Sequence, residues 1–130
     1  MSSTRLPSEG EFRPLVAVLC SVPLLGEAIT SALEFAEVRS FAAAGGDLAG
    51  LLGWLRPDAL VVDSAAGAEA AAAFAREHDL PVVHISVRDR TLHLFRRGAW
   101  EQVATIDGPT PESIRNVVAG MLFAREEIVR

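Results

Sequence analysis

Along this chain, short continuous apolar runs alternate with stretches whose apolar positions recur every three or four residues. Leu15-Val16-Ala17-Val18-Leu19-Cys20 has no polar position at all, the pattern of a strand buried on both faces of a parallel sheet. Pro23 then opens a helical pattern carried by Leu24, Ile29, Leu33 and Phe35. Val38–Ala43 is a weaker strand signal that ends at the Gly45-Gly46 turn. Asp47 is placed to cap a helix through Leu55, because Leu48, Leu51, Leu52 and Leu55 form an i, i+3, i+4, i+7 stripe, and Pro57 stops it. Ala59-Leu60-Val61-Val62-Asp63 is a second buried strand ending in an acid. Ser64 caps an Ala-rich helix to about Glu77, and Pro81–Ser86 is the next strand. Thr110-Pro111-Glu112 is a helix start, continued by Ile114, Val117, Val118, Met121 and Leu122.

Strands that alternate with helices imply βαβ crossovers and a parallel sheet covered on both faces. The segment Asp89–Ile106 fits two descriptions. Leu92, Phe95 and Ala99 share one face of a helix, whereas Thr91–Arg96 alternates and Arg97-Gly98 would turn a hairpin into Ala99–Val103. We favour a short helix followed by a strand over Glu101–Ile106, partly on the resemblance given below. The expected organisation is a disordered tail over residues 1–13 and a single domain over 14–130.

Composition narrows the chemistry. All twelve basic residues are Arg, against seventeen acidic ones, and the net charge is −5. The absence of Lys excludes Schiff-base chemistry, a lysine base and a Walker A loop, and the acidic balance argues against nucleic acid as a partner. One Cys excludes an internal disulfide and a Cys-rich zinc site, and no His/Asp/Glu set has metal-ligand spacing. The N-terminal segment lacks the positive bias of a signal peptide, and no apolar run is long enough to span a bilayer, so a cytoplasmic protein without membrane contact is expected.

Ligands of open α/β sheets sit beyond the carboxyl ends of the strands, here Cys20-Ser21, Asp63-Ser64, Ser86-Val87 and Thr105-Ile106-Asp107. With their flanks these residues resemble the receiver domain of bacterial two-component response regulators. Leu19–Ile29 is similar to its first strand and helix, Arg56-Pro57-Asp58-Ala59-Leu60-Val61-Val62-Asp63 to the run leading to the phosphoacceptor aspartate, and Pro81–Ser86 to the fourth strand with its Ser/Thr switch residue. Gly98-Ala99, Glu101–Ile106 and Thr110–Ile114 resemble the approach to the fifth strand and final helix. The resemblance spans roughly 14–124. It implies a flavodoxin-like, receiver-like three-layer sandwich with a five-stranded parallel sheet, the fourth helix short or replaced by a hairpin.

It also implies a function, and a defect in that function. Receivers take a phosphoryl group onto the aspartate with a magnesium ion held by an acidic pair after the first strand. The aligned positions here are Cys20 and Ser21, which bring no negative charge. The family's Lys after the fifth strand aligns near Thr105, and the chain has no Lys. Asp63 and Ser86 are thus phosphoacceptor-like residues without their charged neighbours, and no cofactor or catalytic residue is expected. The reading is a stand-alone pseudo-receiver, a non-enzymatic signalling module that acts through contact with another signalling protein and forms a homodimer through the C-terminal helix face. One alternative is a divergent but working receiver, phosphorylated on Asp63 with magnesium and with Arg88 as the cation. Another is a flavodoxin-like small-molecule binder. Arg88, Arg90, Arg96 and Arg97, with His93, form the one basic cluster, suited to an anion or a partner. His84 reads as a packed, hydrogen-bonded core histidine.

Overall fold

The computed structural model describes residues 13–42, 48–103 and 108–129, the backbone alone at 42, 48–49 and 123–129. The expected tail as far as residue 12, the Gly45-Gly46 turn, the Asp47 cap and the Thr105–Asp107 strand end lie outside the described residues. Ten elements follow in order: β1 (Leu15–Cys20), α1 (Pro23–Ala32), β2 (Glu37–Ala42), α2 (Leu48–Leu55), β3 (Ala59–Val62), α3 (Ala65–His78), β4 (Val82–Ser86), β5 (Thr91–Arg96), β6 (Ala99–Val103) and α4 (Pro111–Val129). Among the described residues no helix is long and apolar enough to cross a membrane.

The strands form one mixed sheet in the order β2-β1-β3-β4-β5-β6. The apolar runs at β1 and β3 are its centre: Val16, Ala17, Val18 and all four residues of β3 are fully buried. One face carries Val16, Val18, Val61, Val83 and Ile85 against Ile29 of α1, its C-cap Leu33, and Ile114, Val118 and Met121 of α4. The other packs Ala17, Leu19, Leu60 and Val62 against Leu52 of α2 and Ala68, Ala71, Ala72 and Ala75 of α3. The alanines let α3 approach the sheet closely. Its start follows the sequence signal, since the Ser64 Oγ accepts from Gly67 N at 3.0 Å. A Cβ on Gly67 would lie 2.8 Å from that hydroxyl, so the cap needs glycine there. Thr110 caps α4 in the same manner: Ser113 N donates to Thr110 Oγ1 at 3.1 Å and Thr110 N donates back to Ser113 Oγ at 2.7 Å.

The expectation of a purely parallel five-stranded sheet is corrected. β2, β1, β3 and β4 are parallel, but β5 pairs antiparallel with β4 and β6 antiparallel with β5. The favoured helix near residue 92 and parallel strand over 101–106 are replaced by the hairpin alternative. The physical reason is the two-residue connection Arg97-Gly98, whose φ angles of 56° and 79° are both left-handed, as a type I′ turn requires. The apparent helical stripe also divides: Leu92 joins the α1/α4 face and Phe95 the α2/α3 face. β6 is the outer strand, exposed from Ala99 to Gln102.

The turn predicts two opposite outcomes. Nothing lies within 4 Å of a Cβ built on Gly98, so Gly98→Ala costs backbone strain alone, about 1–2 kcal/mol. Arg97→Asn, which tolerates positive φ, raises stability by about 0.5 kcal/mol. Urea unfolding of both variants checks the pair.

Candidate functional site

Four parallel strands deliver their carboxyl ends to one edge of the sheet, and the order reverses between β1 and β3. That is the switch point where flavodoxin-type sheets bind ligands. Asp63 follows β3 there. Its carboxylate accepts from Ser21 N at 2.9 Å on each oxygen, from the Ser21 hydroxyl at 3.2 and 3.1 Å, and from Val22 N at 3.3 Å.

The cause lies in α1. Its N-cap is Val22, which has no side chain able to accept, its first residue is Pro23, and its first turn contains no acid. The amides entering this helix therefore lack a local acceptor and sit at the positive end of the helix dipole. A carboxylate from the next strand meets both needs. Asp63 is thus a cap supplied from elsewhere in the fold, and it ties the β1–α1 corner to the end of β3.

Cys20, the other position aligned with the metal-binding pair, is buried at the end of β1. Burial, and then the Asp63 carboxylate, push its thiol up to about 12. It stays protonated at neutral pH. Ser86 lies at the end of β4, but its hydroxyl donates to Asp89 Oδ2 at 3.1 Å and accepts from Asp89 N, so it is bonded within its own turn. The structure brings Asp63 and Ser21 together with Cys20 beside them and leaves Ser86 in a separate turn.

The basic cluster does not hold together. Arg88 and Arg90 are in the β4–β5 turn, whereas Arg96 and Arg97 are at the opposite end of β5, about 17 Å away for a six-residue strand. Arg96 pairs with Glu101 at 2.9 Å, both half-exposed. A cleft of about 890 Å³ opens beside the site, lined by Cys20, Ser21, Gly26, Thr30, Ser40 and Phe41 among others, and none of its described lining residues is Arg. An anion held by arginines in that cleft therefore has no support.

Reading the sequence missed a second group. β4 and β5 are in register with His84 opposite His93, and their rings lie 6.0 Å apart at 28° between planes. Trp100 of β6 stands 6.1 Å from His84 and 5.1 Å from Phe95. His84 is partly exposed; burial and then the neighbouring His93 lower its pKa, with Asp63 and Asp89 opposing. The signal was present in the Val87–Arg90 turn between two alternating runs.

Two outcomes test this geometry. Asp63→Ala removes the cap and lowers stability by about 1–2 kcal/mol, while Asp63→Asn, which keeps an acceptor, loses less; thermal and urea unfolding measure both. The raised Cys20 pKa means that the folded state holds the thiol proton more tightly than the unfolded chain. Its contribution is complete below the ordinary value of 9.0 and is lost as pH rises towards 12. At pH 8 the folded protein should therefore react with a thiol-specific disulfide reagent at least about a hundredfold more slowly than the urea-unfolded chain. Equal rates would mean that the β1 end is open.

No family model matches this chain, and no curated protein matches it.

Proposed function

We propose that this protein is a receiver-like signalling module that acts by contact with another protein and does not transfer phosphoryl groups. The order β2-β1-β3-β4, with helices on both faces, is that of the flavodoxin-like sheets to which receivers belong. The observation that carries the reading is the bonding of Asp63. A phosphoacceptor carboxylate needs an oxygen free to attack and a divalent cation beside it to offset the phosphoryl charge. Here both oxygens already accept from the Ser21 amide and hydroxyl, and Oδ2 also from the Val22 amide. The neighbouring positions offer a protonated thiol and a hydroxyl, where magnesium prefers anionic oxygens.

The surroundings favour contact over catalysis. Val22, Leu24 and Val87, at the ends of β1, the start of α1 and the end of β4, are 47%, 76% and 57% exposed. Apolar side chains around the mouth suit burial against a protein and contribute nothing to a metal–phosphate site.

The test is direct. With magnesium and acetyl phosphate, intact mass should show no covalent adduct, and with magnesium and beryllofluoride the amide signals of Ser21, Val22 and Asp63 should not move. An adduct that disappears in Asp63→Ala would overturn the proposal and restore a working receiver. In cells, Leu24→Asp with Val87→Asp should abolish cross-linking from a photoreactive residue at position 24's neighbour Glu27 without changing the unfolding midpoint; undiminished cross-linking would remove the mouth from the contact surface.

A further inference from the structure

We propose that His84 and His93 form a two-histidine chelate for a divalent transition-metal ion of the copper or zinc class, on the sheet face that they share across β4 and β5. The proposal is independent of the fate of Asp63.

Register is the first support. Directly opposed residues of an antiparallel pair project to the same face with their Cβ atoms about 5 Å apart. His84 and His93 are such a pair, and the strand bonds fix their spacing. Distance is the second. With metal–nitrogen bonds near 2.0–2.1 Å, an ion lies about 3.2 Å from each ring centroid, so tetrahedral coordination places the centroids about 5.2 Å apart. The observed 6.0 Å is within about 1 Å of that separation, and the rings, which stack at 28° between planes, must turn about their side-chain torsions to aim one nitrogen each at a common ion. Eight residues lie between the two histidines in the chain, so the site exists only because the hairpin forms.

The surroundings are the third support. The buried Nδ1 of His93 has no hydrogen-bond partner, and neither does the buried Thr91 Oγ1 two residues before it. A ring nitrogen placed so is an unused ligand or donor, the kind of atom that folded proteins rarely leave unsatisfied. Trp100 and Phe95 form an aromatic wall along one side of the pair, which limits competing water. The net charge of −5 favours cations in general, but the ligand type selects among them: imidazole suits copper, zinc and nickel, and is a poor ligand for magnesium or calcium. Among the described residues no three His, Cys, Asp or Glu side chains converge, so the ion would keep open positions beyond the two protein ligands. Copper, at the top of the affinity order for such a site, should bind more tightly than zinc.

The experiment titrates copper(II) chloride, and separately zinc chloride, into the untagged full chain carrying Trp54→Phe, which leaves Trp100 as the reporter beside His84. Copper should quench Trp100 saturably with one ion per chain, and zinc should raise the unfolding temperature. His84→Gln and His93→Gln keep the strands' shape and polarity, and each should weaken copper binding by more than about tenfold, the loss that removal of even an outer partner can cause. His78→Gln, on α3, should leave it unchanged. Each variant's fold is checked by circular dichroism. Quenching that persists equally in the His84 and His93 variants, that depends on His78, or that fails to saturate by about 1 mM would overturn the proposal. If a glutamine variant is misfolded, metal-induced shifts confined to the wild-type His84 and His93 ring protons decide the same question, and shifts elsewhere would overturn it.

Discussion

The bond between the Asp63 carboxylate and the Ser21 and Val22 amides, which lead into α1, is the constraint on which the rest of the site depends. A helix that begins Val22-Pro23-Leu24 cannot cap itself, and no acid in its first turn complements its dipole. The acceptor comes instead from the end of β3, 42 residues downstream of Ser21. The same contact that completes the helix also ties the β1–α1 corner to the end of β3. One carboxylate cannot satisfy these donors and present a free oxygen to an incoming phosphoryl group without releasing the cap. Structural use and chemical use of Asp63 therefore compete, and the hydrogen bonds favour the first.

The second half of the fold follows from a change of connection. Up to β4 every strand is followed by a helix that returns the chain to the opposite edge, which keeps the strands parallel and covered. After Ser86 a four-residue turn reverses the chain directly, and the next strand is antiparallel. Four helices then cover a six-stranded sheet incompletely. α4 covers Leu92 and Leu94 on one face, but α3 reaches only as far as Arg76 over Phe95 on the other. His84, His93, Gln102 and Trp100 occupy the remainder of that face, which is why polar and aromatic side chains rather than aliphatic ones are found there.

Much of this was legible from periodicity alone. LVAVLC, ALVV and the Leu48–Leu55 stripe are local patterns, and the elements they predict appear within a residue or two. Ser64 and Thr110 were legible as caps for the same reason. The hairpin was ambiguous because Leu92, Phe95 and Ala99 satisfy helical spacing while Thr91–Arg96 satisfies alternation. The arbiter, a left-handed Arg97-Gly98 turn, was visible but carried less weight than a resemblance that called for a parallel strand. Asp63's position at a strand end was readable; its bonding to Ser21 was not, since it arises only when the ends of β1 and β3 meet. The four arginines looked like one cluster for the converse reason: closeness in sequence conceals the length of an extended strand.

Topology and charge act together on the missing phosphoryl machinery. In a parallel five-stranded sheet the last strand neighbours β4, two spacings from β3, or about 10 Å. Here β5 takes that place and β6 lies three spacings away, about 14 Å. β6 runs in the same direction as β4, so its last residue, Val103, lies at the mouth edge, but beyond the hairpin's inner strand. Restoring a lysine after β6 would therefore not rebuild the familiar arrangement, because the ammonium would start one strand too far from Asp63. The turn that carries Arg88 is closer, yet its neighbour Asp89 is held by Ser86 and brings a negative charge to the same turn. A receiver-type arrangement of charges around Asp63 would need a different strand order as well as different side chains.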